Sequence, residues 1–256
     1  MKQKFNPLII IVLVIVIISA YWLFYTGQQV GKNLTVCTRL PRVKIISKNP
    51  YEIAPNTELK WKNHIILKVY FEAGINDFTE SIIREASEWS KYCGIKFKIT
   101  DLWSDADIKV TFKRGGYASA IGIESIQQEY NTKYSMYLQG IDTLRNKEEF
   151  HRVILHEFGH ALGIEHELSK PSAAIPWNKK EVYNYYQYKF KWSNKDVDEN
   201  IFKQLKPANK EYAEFDSTSI MVYGIKPPLT VAPYIIPWPK GLSKTDIIGI
   251  SKWYPK

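Results

Sequence analysis

The chain has 256 residues and a formal net charge of +9. With 45% apolar and 14% aromatic residues, its composition excludes a disordered protein and suits one folded domain with an N-terminal appendage. Since no lysine run is interleaved with aromatic side chains, we interpret the charge as a solvated basic surface and expect no nucleic-acid partner.

Residues 8 to 24 form an apolar run without a charged side chain, and Lys2 and Lys4 precede it. A transmembrane helix needs about 20 apolar residues, and the aromatic end of the run is typical of an outer membrane interface. A signal peptide has a shorter apolar region and a small-residue cleavage site, and it is the alternative. We predict that residues 1–25 are an N-terminal transmembrane anchor or signal sequence and that 26–57 are a linker or short pro-segment.

Both interpretations of the N-terminal run place the remaining domain, residues 58–256, outside the cytoplasm. That domain is anchored to the membrane by a single span, or secreted if the segment is cleaved. An oxidising compartment permits a disulfide between Cys37 and Cys93, the only cysteines of the sequence, with two free thiols as the alternative.

Hydrophobic periodicity predicts the elements of the first half of the domain. Alternating apolar residues predict strands at residues 65–71, 95–99 and 107–112. Helical spacing, with a possible capping box of Asp77 and Glu80, predicts a helix over about residues 78 to 92. A second helix begins near Lys147, where the acidic residues that follow favour the positive end of the helix dipole.

This second helix carries the sequence H-E-F-G-H-A-L-G-I-E-H at residues 156–166. His156 and His160 are four residues apart, so their rings lie side by side on one face of a helix. That spacing suits two ligands of a tetrahedral Zn²⁺. Glu157, one residue beyond the first histidine, can reach a water at the metal without becoming a ligand itself.

The third histidine of the motif requires a break in the helix. A straight helix would carry His166 too far along its axis to share the ion. We therefore predict that the chain turns at Gly163, with a positive φ angle, and brings His166 back. Three protein ligands leave the fourth zinc position open, which is typical of a catalytic site rather than a structural one.

The chain after the motif is predicted to be less regular. Helices are predicted at residues 179–190 and 193–205, and residues 226–240, which hold five prolines, are expected to be largely loop. A last helix is predicted to begin with a cap at Ser243 and to end near Trp253.

The long histidine motif resembles that of the metzincin zinc endopeptidases. Glu167, directly after the third histidine, is similar to the astacin branch, whereas matrixins usually have a serine there. Residues 219–223, S-I-M-V-Y, are similar to the Met-turn of astacins, and Ile175-Pro176-Trp177 loosely matches a segment of bacterial astacin-like proteins. The resemblance covers about residues 58 to 255.

The resemblance implies an α+β, zincin-like catalytic domain. Its twisted, mostly parallel sheet has an antiparallel edge strand and packs on the active-site helix, and an irregular, helical C-terminal subdomain follows. Residues 117–122 and 134–138 are expected around the edge. A protein or peptide substrate is expected to lie along it in an extended conformation.

The resemblance also implies roles for single residues. Met221 is expected to form an apolar floor under the three imidazoles, and Tyr223 to approach the zinc and then stabilise the substrate oxyanion. In astacins the residue that matches Glu167 engages the N-terminus of the mature enzyme, a partner that an uncleaved anchor would withhold.

The sequence therefore predicts a zinc-dependent metalloendopeptidase. Its ligands are His156, His160 and His166, and Glu157 is its general base. His64, expected on a strand before the helices, and His151 are expected to lie outside the site. Two alternatives stay open: a non-catalytic, zinc-stabilised binding module at the membrane surface, and a zinc hydrolase of cell-wall amide bonds.

Overall fold

The computed structural model describes residues 40, 59–113, 116–204 and 214–256. The predictions for residues 1–25, and for 26–57 apart from Leu40, lie outside the described residues, as does Cys37. Cys93 is a buried free thiol. In the described ranges, no helix is both long enough and apolar enough to span a bilayer.

One five-stranded sheet forms the centre of the fold. Its strands are β1 (Ile66–Phe71), β2 (Lys96–Thr100), β3 (Ile108–Thr111), β4 (Tyr117–Ser119) and β5 (Met136–Leu138). They lie in the order β2-β1-β3-β5-β4. The pairs β1–β2, β1–β3 and β3–β5 are parallel, and β4 is antiparallel to β5. The predicted mostly parallel sheet with an antiparallel edge strand is therefore confirmed.

Five α-helices lie in the described part of the chain: α1 (Asp77–Ala86), α2 (Lys147–Ala161), α3 (Lys179–Phe190), α4 (Asn194–Val197) and α5 (Lys244–Trp253). Short 3₁₀ turns lie between the strands and helices, at Trp89–Lys91, Trp103–Asp105, Gly122–Ile126, Gln128–Tyr130, Ile141–Thr143, Glu167–Ser169 and Pro171–Ala173. The predicted start of α2 at Lys147 and the predicted cap of α5 at Ser243 are confirmed.

The first helix is shorter than predicted, and its cap differs. The helix ends at Ala86 and not near residue 92. The predicted capping box of Asp77 and Glu80 is wrong by one residue, because Asn76 accepts from the backbone of Thr79 and Thr79 bonds back to Asn76. Trp89 lies in the next turn, where its indole N–H donates to the Leu155 carbonyl at 2.9 Å, so a tertiary contact replaces the last helical turns.

Two further predictions need correction. The helix expected over residues 193–205 consists of α4 followed by a π turn, Asp198–Phe202, and residue 205 lies outside the described residues. His64, expected on a strand, lies in a turn before β1 with a φ of 58°. The largely looped character of residues 226–240 is confirmed. Two isolated bridges fix this loop, one between Trp177 and Thr230 and one between Ile225 and Ile236.

The core lies between the sheet and α2. Leu67, Val69 and Phe71 alternate along β1 and are each at most 1% exposed. Phe97 on β2 meets Phe158 on α2 edge to face, with 5.0 Å between ring centroids. Aromatic pairs of this geometry add to the free energy of apolar burial. The sheet therefore holds the predicted active-site helix by its apolar stripe.

The C-terminal end of α2 is held by the two ends of the domain. The Trp61 indole donates to the Ala161 carbonyl at 2.7 Å, and the Tyr254 hydroxyl donates to the Leu162 carbonyl at 2.8 Å. The last carbonyls of a helix have no partner within the helix. These bonds satisfy two of them and so position the chain just before Gly163.

Candidate metal centre

Helix α2 presents His156 and His160 on the same face. The two ring centroids lie 4.8 Å apart, and the residues are 3% and 2% exposed. The helix begins at an Asn146 cap, whose side chain accepts from the Glu149 backbone N–H at 3.1 Å. The predicted side-by-side arrangement of the two imidazoles is therefore present.

The chain leaves α2 through the predicted turn. Gly163 has a φ of 99°, a conformation that L side chains rarely adopt. The Ile164 N–H donates back to the Gly159 carbonyl at 3.0 Å, which closes the helix end. His166 follows two residues later and lies against the first two histidines, so the geometric reason given for the glycine is confirmed.

The three imidazoles converge on one point. One nitrogen from each of His156, His160 and His166 lies within 4.8 Å of the others. The Nε2 atoms of His160 and His166 are 3.0 Å apart. Two ligands of one tetrahedral zinc with bonds of about 2.0–2.1 Å are separated by about 3.3 Å, so this spacing fits a shared ion.

Backbone carbonyls set the orientation of two rings. Nδ1 of His156 donates to the Ile220 carbonyl at 2.8 Å, and Nδ1 of His160 donates to the Ile164 carbonyl at 2.7 Å. A carbonyl can only accept, so the proton is on Nδ1 and the Nε2 lone pair is available for a metal.

His156 shows this availability most clearly. Its Nε2 is buried and has no hydrogen-bond partner within the described part of the chain. Burial lowers the pKa of His156 to about 4, so the imidazole is neutral near pH 7. A buried, neutral nitrogen without a partner is costly unless something coordinates it, and therefore the donor set fits a zinc ion.

The Met-turn lies directly under the helix. A Cβ placed on Gly159 would lie 2.5 Å from the Met221 sulfur, so only glycine lets the thioether approach α2 this closely. Met221 itself is 0% exposed.

Asp246, in the first turn of α5, holds this turn in place. Its carboxylate accepts from the Ser219 hydroxyl at 2.6 Å and from the Ile220 N–H at 2.8 Å. Because the Ile220 carbonyl orients His156, the cap of the last helix is connected to the first histidine. The sequence indicated a helix cap at Ser243, but nothing in it marked the contact that Asp246 makes across 26 residues.

Glu157 and Tyr223 complete the set of predicted residues. Glu157 is 1% exposed and follows His156 on α2. Tyr223 is 2% exposed, and its hydroxyl lies 2.7 Å from Nε2 of His166. The phenol is therefore at the point where the imidazoles converge.

A sequence model of the Matrixin family matches residues 60–204, more than half of the chain. The chain belongs to the matrixin family. Two solved structures of myroilysin resemble this matrixin. The first is 34% identical, with a TM-score of 0.72, and covers 78% of this chain and 97% of its own. The second is 32% identical, with a TM-score of 0.63, and covers 88% and 93%.

High choriolytic enzyme 1, a hatching enzyme zinc-protease from Oryzias latipes, is 20% identical over 76% of the matrixin and 93% of its own chain, with a TM-score of 0.49. No curated protein sequence matches the matrixin.

These findings confirm that the matrixin is a metzincin and a zinc metalloendopeptidase. They also confirm the metzincin-like α+β fold with its active-site helix. The placement in the astacin-like branch stays a prediction, since the family model that matches is that of the matrixins.

The other histidines of the matrixin lie outside the metal centre, as predicted. His151 is bound through Nδ1 to Glu85, with 2.5 Å between the atoms. His64 lies in the turn before β1, and neither histidine belongs to the cluster of three.

Proposed function

We propose that this matrixin hydrolyses peptide bonds outside the cytoplasm, with His156, His160 and His166 as zinc ligands and Glu157 as general base. The observation that carries the proposal is the convergence of three buried imidazoles at the turn of α2 that bears Glu157. In His156 and His160, Nδ1 already donates to a backbone carbonyl, which leaves Nε2 available for a metal. The site is therefore pre-organised for a metal.

Zinc, when bound, lowers the pKa of a water to about 7 and polarises the scissile carbonyl. The chain supplies the proton transfer: Glu157 accepts a proton as the water oxygen attacks the carbonyl carbon. It then donates that proton to the amide nitrogen as the C–N bond breaks. One water is consumed, and a carboxylate and an amine leave.

Tyr223 is proposed to stabilise the oxyanion that develops on the scissile carbonyl. Its hydroxyl is buried at the convergence of the rings, 2.7 Å from Nε2 of His166, and it can donate one hydrogen bond. A donor aimed at developing charge contributes about 3 kcal/mol to transition-state stabilisation.

The substrate is proposed to pair with the outer edge of β4. Ala118 lies opposite Tyr137, and the backbone bonds from Ala120 N to Ser135 O and from Gln139 N to Gly116 O follow the same register. Hydrogen-bonded pairs alternate along an antiparallel ladder, so the N–H and C=O groups at positions 117 and 119 point away from β5. An extended peptide can use these groups.

This edge runs beside the proposed base. Strand β4 packs on α2, the helix that carries Glu157. A peptide paired with β4 therefore passes close to Glu157.

The location outside the cytoplasm is supported by the sequence of the N-terminal segment. The apolar run at residues 8 to 24, with Lys2 and Lys4 before it, suits an anchor with its lysines inside and the enzyme outside. If the segment is cleaved, the same enzyme is secreted. N-terminal sequencing of the mature protein distinguishes the two forms.

The proposed role of Glu157 is tested with Glu157→Gln in the full chain. The expected result is one bound zinc per chain and a loss of quenched-peptide cleavage by about 10²–10⁴-fold, the usual contribution of a general base. Glu148→Gln is the matched control, because Glu148 lies on the same helix and its side chain is 70% exposed.

Three results would contradict the proposal. Undiminished peptide cleavage by Glu157→Gln would show that Glu157 is not the general base. Stoichiometric zinc without cleavage of any peptide in a library would favour a binding module. Release of cell-wall amides without peptide cleavage would favour an amidase.

A further inference from the structure

Glu167 connects the proposed third ligand to the Met-turn. It directly follows His166, is 5% exposed, and its backbone N–H donates to the Met221 carbonyl at 3.0 Å. The segment that places the third imidazole and the turn beneath the site are thus joined through the backbone of one residue.

The carboxylate of Glu167 adds two bonds from different segments. Oε1 accepts from Nζ of Lys170 at 2.6 Å and from the backbone N–H of Asp216 at 2.8 Å. Lys170 is held one short turn away, because its own N–H donates to the Glu167 carbonyl at 3.1 Å. Its Nζ also lies 3.5 Å from the Glu214 carbonyl. The ammonium therefore connects the third-ligand segment with the chain that leads into the Met-turn.

This ion pair differs from a surface pair in its burial. The side chains of Lys170 and Glu167 are 18% and 6% exposed, whereas those of the surface pair Lys203 and Glu199 are 44% and 48% exposed. Exposed pairs contribute little to stability. Removal of one member of a buried pair leaves an uncompensated charge and is strongly destabilising, while removal of both is often nearly neutral.

We propose that Lys170 is the cation that holds Glu167, and that the two form a positioning pair which sets the third zinc ligand against the Met-turn. The pair acts through His166 and does not touch the substrate. The inference rests on the proposed role of His166 as a ligand.

The cation beside Glu167 comes from Lys170, and this bears on whether cleavage of the N-terminal segment is needed for zinc binding. The astacin resemblance implies that Glu167 meets the N-terminus of a processed chain. Here an ammonium from the same chain, three residues further on, already lies at 2.6 Å. The metal centre is therefore complete without a new N-terminus, and an enzyme that keeps its N-terminal segment binds zinc as tightly as a processed one.

The test measures zinc affinity by chelator competition, and the absorption spectrum of the Co²⁺-substituted protein, in the full chain. Lys170→Met and Glu167→Gln are each expected to weaken zinc binding by about 10–100-fold, as is usual when a group supporting a metal ligand is lost. Lys170→Arg, which keeps the charge, is expected to recover most of the affinity and the native Co²⁺ spectrum. The double variant Glu167→Gln/Lys170→Met leaves no unpaired charge and is expected to fold, but its zinc affinity is expected to stay weakened because the positioning contact is missing. Lys203→Met is the matched control and leaves both readouts unchanged.

A second arm compares the intact chain with a chain cleaved within residues 26–57. The expected zinc affinities agree within about threefold, well below the 10–100-fold effect of a lost supporting group. Native affinity in Lys170→Met, or much tighter binding after cleavage, would overturn the inference.

A different variant tests whether His166 is a zinc ligand at all. Native zinc affinity in His166→Ala would show that it is not. If a single variant does not fold, the other two decide. Native affinity in Lys170→Arg with weakened affinity in the folded double variant supports the pair, and native affinity in the double variant or a loss in Lys170→Arg overturns it.

Discussion

The contact between the Met-turn and α2 predicts a large effect for a very small substitution. In Gly159→Ala the new Cβ would lie 2.5 Å from the Met221 sulfur and 3.2 Å from the Trp89 ring. Ordinary contacts between heavy atoms of this kind are about 3.5–4.0 Å, so the sulfur has to move by about 1 Å. Met221 is fully buried, and overpacking of a core at this level costs about 1–3 kcal/mol.

Helix propensity acts in the opposite direction and is removed by a control. Alanine in place of glycine inside a helix gains about 1 kcal/mol. Gly249 lies inside α5, and a Cβ there meets nothing within 4 Å. Gly249→Ala therefore gains helix propensity without a steric clash. The difference between the two variants is therefore the cost of the Met221 contact, about 1–3 kcal/mol.

The assay is thermal unfolding of the zinc-loaded full chain, with zinc affinity measured beside it. One kcal/mol corresponds to about 2–4 °C for a domain of this size, so Gly159→Ala is expected to unfold about 2–12 °C below Gly249→Ala. Its zinc affinity is expected to fall, because the floor under the imidazoles is displaced. Equal melting temperatures and native zinc affinity in both variants would refute the tight contact of Met221 with Gly159.

Three other variants or conditions give separate predictions. Tyr223→Phe is expected to retain zinc and to lose about 10²–10³-fold in kcat, and an unchanged kcat would argue against the oxyanion role. Asp246→Ala removes the acceptor of the Ser219 hydroxyl and the Ile220 N–H, so urea unfolding is expected to show a loss of about 3 kcal/mol and chelator competition weaker zinc binding. The depressed pKa of His156 means that, without metal, the unfolded chain binds more protons than the folded one below about pH 6.5. Stability of the chelator-treated protein is therefore expected to fall by about 2 kcal/mol from pH 7 to pH 5, and a flat profile would contradict the assigned burial of this ring.

Features of the metal centre set by local chemistry could be predicted from the sequence. The spacing of His156 and His160 dictates a shared helix face, and the position of His166 requires the turn that Gly163 makes with a φ of 99°. The alternation of apolar residues likewise located β1, β2 and β3 to within one residue at each end.

Features set by contacts between distant segments could not be predicted. The first helix stops early because Trp89 turns inward to the Leu155 carbonyl, a partner 66 residues away. The sequence predicts a helix cap at Ser243, but only the fold shows that the Asp246 carboxylate, which accepts from the Ser243 N–H, also holds the Met-turn. Lys170 lies three residues after Glu167 in the sequence, but only the fold shows that the side chains of both residues are largely buried.

The central claim is that three imidazoles hold one zinc and leave a position open beside Glu157. Zinc K-edge X-ray absorption of the purified full chain tests it most directly. The expected spectrum shows three imidazole nitrogens at about 2.0–2.1 Å and at least one oxygen. A sulfur shell at about 2.3 Å, or only two imidazoles, would contradict the claim.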